Sequence, residues 1–193
     1  MSDPKMLETE EAACARFAHG SDPSNGFNRR SFLAGCLAVA VWPLARGARA
    51  GDTTADLQRS LEQSPLVYVS PLRSDGAESS CHGEVWFGWL DGTVVLITSN
   101  KSWKARAVGR GLGSARIWTG DYGRWNRMIG HNEAFREAPH FDARAEMVRD
   151  EKLLERLLGV YETKYPKEIA RFRLPFRKGF HDGSRVLIRY TPA

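Results

Sequence analysis

Cysteine is scarce, long hydrophobic runs are missing and no segment repeats. Three cysteines in 193 residues cannot build the multi-bridge framework of a small disulfide-stapled domain. The longest apolar stretch lies within residues 31–44 and falls short of the roughly 20 residues that cross a bilayer as a helix. No period of solenoid length recurs, so a repeat array is excluded. A Gly-rich phosphate loop, a G-x-S-x-G nucleophile elbow and an H-E-x-x-H helix are all missing, and with them the signatures of P-loop, α/β-hydrolase and zincin chemistry. His82, His131, His140 and His181 match no zinc-ligand spacing, so no metal site is expected. Net charge is only +5. That permits an anionic ligand without marking a nucleic-acid-binding protein.

What is present begins with an unusual first fifty residues. Residues 1–27 are polar and aperiodic. Residues 28–50, NRRSFLAGCLAVAVWPLARGARA, place Arg29 and Arg30 before a modest apolar run ending at Leu44, and Ala48-Arg49-Ala50 follows as a small-residue cleavage site. This is the layout of a twin-arginine signal peptide. Leu33-Ala34-Gly35-Cys36 has the look of a lipoprotein box, but only Ser31 to Gly35 separate Arg30 from Cys36, so no apolar segment precedes it. The expected organisation is a leader over 1–50, cut after Ala50, and one domain over 51–193. The expected location is the periplasm or another exported compartment, reached through the twin-arginine export machinery, which carries folded proteins. The remaining 143 residues hold 22 Lys/Arg and 18 Asp/Glu, a net +4, and Cys81 as their one cysteine. A lone cysteine there is expected to act as a small buried hydrophobe.

The domain reads as hairpins. Residues 51–64 suit a short helix. Leu66 to Val69 form an apolar strand, Asp75-Gly76 carries the dipeptide of a type I′ turn, and a long strand runs through Val85-Trp86-Phe87-Gly88-Trp89-Leu90. Asp91-Gly92 is a second such turn, since both central positions need φ > 0. Val94 to Ile97 are uniformly apolar, which implies that both faces are covered. Ser102 to Arg110 suit two helical turns closed by Gly111 or Gly113. In Ser114 to Gly120, Ala115, Ile117 and Thr119 alternate with Arg116 and Trp118, as in a strand. Residues 120–142 are polar, aromatic and glycine-punctuated, and read as irregular strands and loops. Leu153, Leu154, Leu157, Leu158, Tyr161 and Tyr165 make one helical stripe, capped by Asp150 and stopped by Pro166. Val186, Ile188 and Tyr190 alternate with Arg185 and Arg189 in a last strand. Some six strands in hairpins with one helix before the last describe a mainly β, antiparallel barrel with helices.

The order EVWFGWLDG, TSNKSWKAR, a late helix ending KYP and a terminal RVLIRYTP resembles the pyridoxamine 5'-phosphate oxidase-like family of FMN-binding split β-barrels. The resemblance spans residues 60–192. It implies a flavoprotein, an oxidoreductase and a homodimer, with a flavin cofactor and an unknown small-molecule substrate. In the family a hydroxyl residue at a strand end and the segment opening the next helix hold the FMN phosphate. The matching positions here are Thr98, Ser102 and Lys104. Trp103 stands where the oxidases carry arginine, and His82 stands at a phosphate-facing position where they also carry arginine. A phosphate wants cationic side chains, hydroxyls and unpaired backbone N–H groups, and the isoalloxazine ring wants a flat apolar wall such as Trp86 or Trp103.

Other readings stay open on the same residues. Lys101, Lys104 and Arg106 also suit a solvated helix face. Most of Trp86, Trp89, Trp103, Trp118 and Trp125 are expected in the core or a dimer interface. Glu84, Asp121 and Glu133 are unpaired in the sequence, so no catalytic acid or base is named. The two missing cations motivate an alternative: a non-catalytic binding module that kept the barrel without its cofactor. A deazaflavin- or haem-binding relative is the third reading.

Overall fold

The computed structural model describes residues 50–123 and 133–193. The expected leader up to Arg49, together with Trp125 and His131, lies outside the described residues. Helix α1 (Ala50–Gln63) leads into strands β1 (Val67–Pro71), β2 (Gly83–Val85), β3 (Gly88–Leu90) and β4 (Thr93–Ser99). Helix α2 (Trp103–Gly109) and β5 (Ser114–Thr119) follow, then a 3₁₀ turn (Ala134–Glu137) and β6 (His140–Val148). Helices α3 (Glu151–Lys164) and α4 (Pro166–His181) precede β7 (Arg185–Pro192).

The seven strands make one sheet in the order β2-β1-β5-β6-β7-β4-β3, and every pairing is antiparallel. Its two edges, β2 and β3, are consecutive in the chain. Val85 and Gly88 are three residues apart, so the chain joins them over at most about 11 Å. Seven strands laid flat would hold those edges about 29 Å apart. The sheet therefore curls until its edges meet. They do not pair with each other. β2 pairs only with β1 over Gly83–Val85, and β3 covers only Thr93–Val95 of β4. Beside Leu96–Thr98 the barrel stays open. The fold is a mainly β, antiparallel split barrel with helices.

The long strand expected through Leu90 is thus two strands, broken at Trp86-Phe87. Helix α3 takes over the backbone groups freed there. The Tyr161 hydroxyl donates to the Trp86 carbonyl at 2.9 Å. The Phe87 N–H donates to the Tyr165 oxygen at 3.2 Å, and that hydroxyl donates to the Pro65 carbonyl at 2.7 Å. The two Asp-Gly signals also part company. Asp91 (φ 50) and Gly92 (φ 72) are both left-handed, as the tight β3–β4 hairpin requires. At Asp75-Gly76 only Gly76 is left-handed, at φ 78. That turn closes locally, with the Arg73 N–H on the Ala77 carbonyl at 2.8 Å. The chain then wanders to Cys81 before β2 begins.

The uniformly apolar β4 is covered on both faces, as read. Val94 and Leu96 point into the barrel with Phe87, Ile117 and Ile188. Val95 and Ile97 point outward under Leu154, Leu157 and Phe180 of α3 and α4. Each such side chain contributes about 1.5–3 kcal/mol by leaving water. Gly88 lets β3 lie close to α3: a Cβ there would meet Leu157 Cδ1 at 2.8 Å.

Two elements were not legible in the sequence. Most of β6 was missed because alanines carry its inward face: Ala143 and Ala145 are buried while Arg144 and Glu146 are exposed. Helix α4 was hidden by its prolines. Pro166 ends α3 but also opens α4 at its first turn, where a missing N–H costs nothing. Pro175 lies inside that helix, and Ile169, Phe176 and Phe180 are its buried stripe. The one helix expected before the last strand is therefore a pair. Cys81 is half-buried, less enclosed than the buried small hydrophobe expected. The other two cysteines, Cys14 and Cys36, lie outside the described residues.

Candidate functional site

The opening in the barrel is a cavity of about 290 Å³. Its floor is the uncovered edge of β4, Leu96 to Thr98, and its opposite lip is Val85 and Trp86 at the break between β2 and β3. Lys104 enters from α2, Arg185 from the start of β7, and Tyr161, Phe172 and Phe176 close the helical side. Trp86 is fixed as a wall. Its ring stacks on Tyr165 at 4.5 Å and 11°, and meets the edges of Tyr161 at 5.9 Å and Phe172 at 5.7 Å.

The five residues expected at a cofactor phosphate are divided by the fold. Thr98 and Lys104 line this one cavity. Trp103 does not line it but steadies Lys104, whose Nζ lies 4.3 Å from the indole centre. The indole in turn rests against β2, where a Cβ on Gly83 would sit 3.8 Å from Trp103 Cζ2. Ser102 is buried and caps α2, accepting from the Ala105 N–H at 3.2 Å. It is not among the lining side chains. Lys101 is exposed and Arg106 half-buried, so only one of the three cations in that segment lines the cavity.

His82 belongs to a different cluster. Its Nε2 lies 3.6 Å from Glu133 Oε1, and its ring lies 6.0 Å from Phe135. Burial pulls its pKa down, against the pull of the Glu133 carboxylate. Glu133 also binds Arg136, which reaches Glu78 at 2.5 Å. Glu78 is 3.5 Å from Arg116, and Arg116 holds Asp142 through two hydrogen bonds of 2.8 and 3.0 Å. Glu133 was singled out in the sequence as an acid without a partner; the fold places it inside an ion-pair network.

Arg185 is the site residue that sequence reasoning left in the strand pattern. Its backbone register is opposite Ser99, one residue beyond Thr98, and that register exists only once β4 and β7 pair. Its stem packs on α4, where a Cβ on Gly179 would approach Arg185 Cγ at 2.7 Å. Its guanidinium lies 4.9 Å from the Phe176 ring centre. Burial lowers its pKa, and no carboxylate of the described residues opposes that shift. The cavity thus offers a flat aromatic wall, a hydroxyl and two cations, a donor set suited to a planar ligand bearing an anionic group. Among the described residues no cluster of three or more His, Cys, Asp or Glu side chains is placed to hold a metal ion.

A split barrel of this kind occurs in other solved proteins. No family profile matches the chain, and no curated protein matches its sequence. Campylobacter jejuni ChuZ is similar in fold, with a TM-score of 0.50 at 9% identity over 76% of this chain and 55% of that one. HutZ, a haem storage protein of Vibrio cholerae, has a TM-score of 0.47 at 14% identity, over 72% of this chain and 89% of its own. A putative pyridoxamine 5'-phosphate oxidase of Listeria innocua has a TM-score of 0.46 at 15% identity, over 72% and 92% of the two chains. At 9% identity the likeness to ChuZ is one of fold alone.

Proposed function

We propose that the opening in the barrel holds a flavin of the FMN type, and that the protein is an exported oxidoreductase of the pyridoxamine 5'-phosphate oxidase-like kind acting on a small molecule. One observation carries this reading: Thr98 and Lys104 from one stretch of chain, Trp86 from a second and Arg185 from a third line a single cavity. Lys104 and Arg185 would take the phosphate charge, Thr98 would give it direction, and Trp86 would wall the ring. Bound flavin supplies the electron chemistry, while the chain's side chains bind and orient it and exclude water. The cavity of about 290 Å³ lies at the lower end of ligand-site volumes, roughly 300–1,000 Å³, so part of an FMN-sized molecule would stand outside it.

Haem is the weaker reading for a specific reason. The lining holds no His, Cys or Met side chain, and its one phenol is Tyr161. Its hydroxyl is committed to the Trp86 carbonyl, and burial pushes its pKa well up. A cofactor-free binding module remains the other alternative.

The visible spectrum of the protein as isolated, followed by titration with FMN, separates these readings. Flavin bands, or quenching of added FMN, are expected, and Lys104→Ala should weaken FMN binding at least tenfold. A colourless protein that leaves FMN fluorescence unchanged overturns the cofactor assignment. Export is tested apart from it. Replacing Arg29 and Arg30 by lysine should hold the protein in the cytoplasm, and normal export of that variant sinks the twin-arginine reading. The expected homodimer is checked by light scattering, where a monomeric mass would refute it.

A further inference from the structure

Beyond Arg185 the surface opens into a groove of about 710 Å³ between the C-terminal half of α4 and the first residues of β7. Arg185 lines both this groove and the cavity in the barrel. The groove has two distinct halves. One is apolar and open to water: Leu174 is 74% exposed and stands beside Pro175. The other is cationic. Arg177 is neutralised by Glu155, which it meets through paired hydrogen bonds. Lys178 makes no salt bridge among the described residues, though its charge reaches Asp182, and Arg185 has no carboxylate partner among them. The one acid in the lining, Asp182, turns an oxygen back onto the Ser184 N–H at 2.9 Å.

Arg185 is the informative group. Among the described residues the half-buried Arg185 has no carboxylate partner and meets only the face of Phe176, at 4.9 Å. Gly179 makes room for it, since any side chain there would collide with the Arg185 stem. The fold thus holds a cation partly out of water, next to an exposed leucine, with an aromatic face and no carboxylate beside it among the described residues.

We propose that this groove is a second ligand site, which takes a small amphiphilic anion with its charge on Arg185 and Lys178 and its apolar body against Leu174 and Pro175. The site does not require flavin. It adjoins the cofactor cavity through Arg185, so its occupant would lie beside whatever the barrel holds.

The probe is 4-phenylbutyrate, titrated calorimetrically into the full-length protein, with 4-phenylbutylamine as the charge-reversed control. Binding of the carboxylate and at least tenfold weaker binding of the amine are expected. Lys178→Ala, at an exposed position, should weaken phenylbutyrate at least fivefold and leave FMN affinity unchanged. Lys104→Ala should do the reverse. Arg185→Gln should weaken both ligands. Equal binding of the amine, no phenylbutyrate binding by the wild type, or wild-type affinity in both Lys178→Ala and Arg185→Gln overturns the proposal. Phenylbutyrate binding that depends on Lys178 and Arg185 in a protein that ignores FMN upholds the groove and rejects the flavin reading alone.

Discussion

Two arginine-bearing regions flank the open barrel, and they treat charge in opposite ways. On the side of β5 and β6, Arg116 and Arg136 are met by Glu78, Asp142 and Glu133. Asp142 raises the Arg116 pKa. Burial pulls Arg136 down, but Glu78 and Glu133 outweigh it. At the start of β7, Arg185 is also partly withdrawn from water, and burial alone acts on it, lowering its pKa. The first region spends its charge inside the protein and holds segments together. The second keeps a cation available to something outside the chain. Cations held for structure and cations held for a ligand are told apart by their partners, not by their burial.

The largest expected effect tests the closed side. Glu78→Ala removes a carboxylate shared by two arginines, and the unfolding free energy in urea should fall by about 1–3 kcal/mol, a range that allows for partial solvent screening. A loss under about 0.3 kcal/mol would mean that the network holds nothing together. Next comes the opposite sign. Arg185→Met should leave ligand-free stability unchanged or raise it by up to about 1 kcal/mol, because it replaces a cation with no carboxylate partner among the described residues by an apolar chain of similar reach that can still pack on Phe176. A loss above about 2 kcal/mol would show Arg185 to be structural and erase the contrast.

Acid titration sharpens it further. The Arg116 hydrogen bonds hold the Asp142 pKa below its ordinary value. Its contribution is complete above the unfolded pKa near 4 and is lost as pH falls through the lower folded value. Asp142→Asn should flatten the stability profile below pH about 4 by less than about 1 kcal/mol, and an unchanged acid limb would refute the assignment. The smallest effect lies at His82, whose pKa burial lowers. The unfolded chain then takes up the proton first, so stability is intact above pH about 6.5 and declines as pH falls toward the folded value. His82→Asn should remove a slope of a few tenths of a kcal/mol between pH 6.5 and 5.5. If the slope persists in that variant, His82 is not the group that titrates.

What could be read from residues alone follows from where the information lies. The burial of both faces of β4, the Asp91-Gly92 hairpin and the α3 stripe are local patterns, and each appears as read. The break at Trp86-Phe87 is not local: six residues of good strand character are divided because Tyr161 and Tyr165, 75 and 78 positions on, bind the backbone between them. The candidate site divides along the same line. Thr98 and Lys104 share one stretch of chain and could be paired on paper. Arg185 joins them through strand register, and Ser102 proves to be a helix cap, a role that a Ser at the head of a short helix always offers.

The link at Trp86-Phe87 also decides how the cavity can change. The two lips of the opening are joined by a covalent tether rather than by a hydrogen-bonded seam. Its length in residues sets the aperture, and side-chain substitutions trim only the lining. One residue inserted between Val85 and Gly88 would add about 3.3 Å of slack while leaving every strand pair in register. The count of residues at that one point is therefore a lever on the width of the opening, acting through Phe87 in the barrel core and Trp86 in the cavity wall.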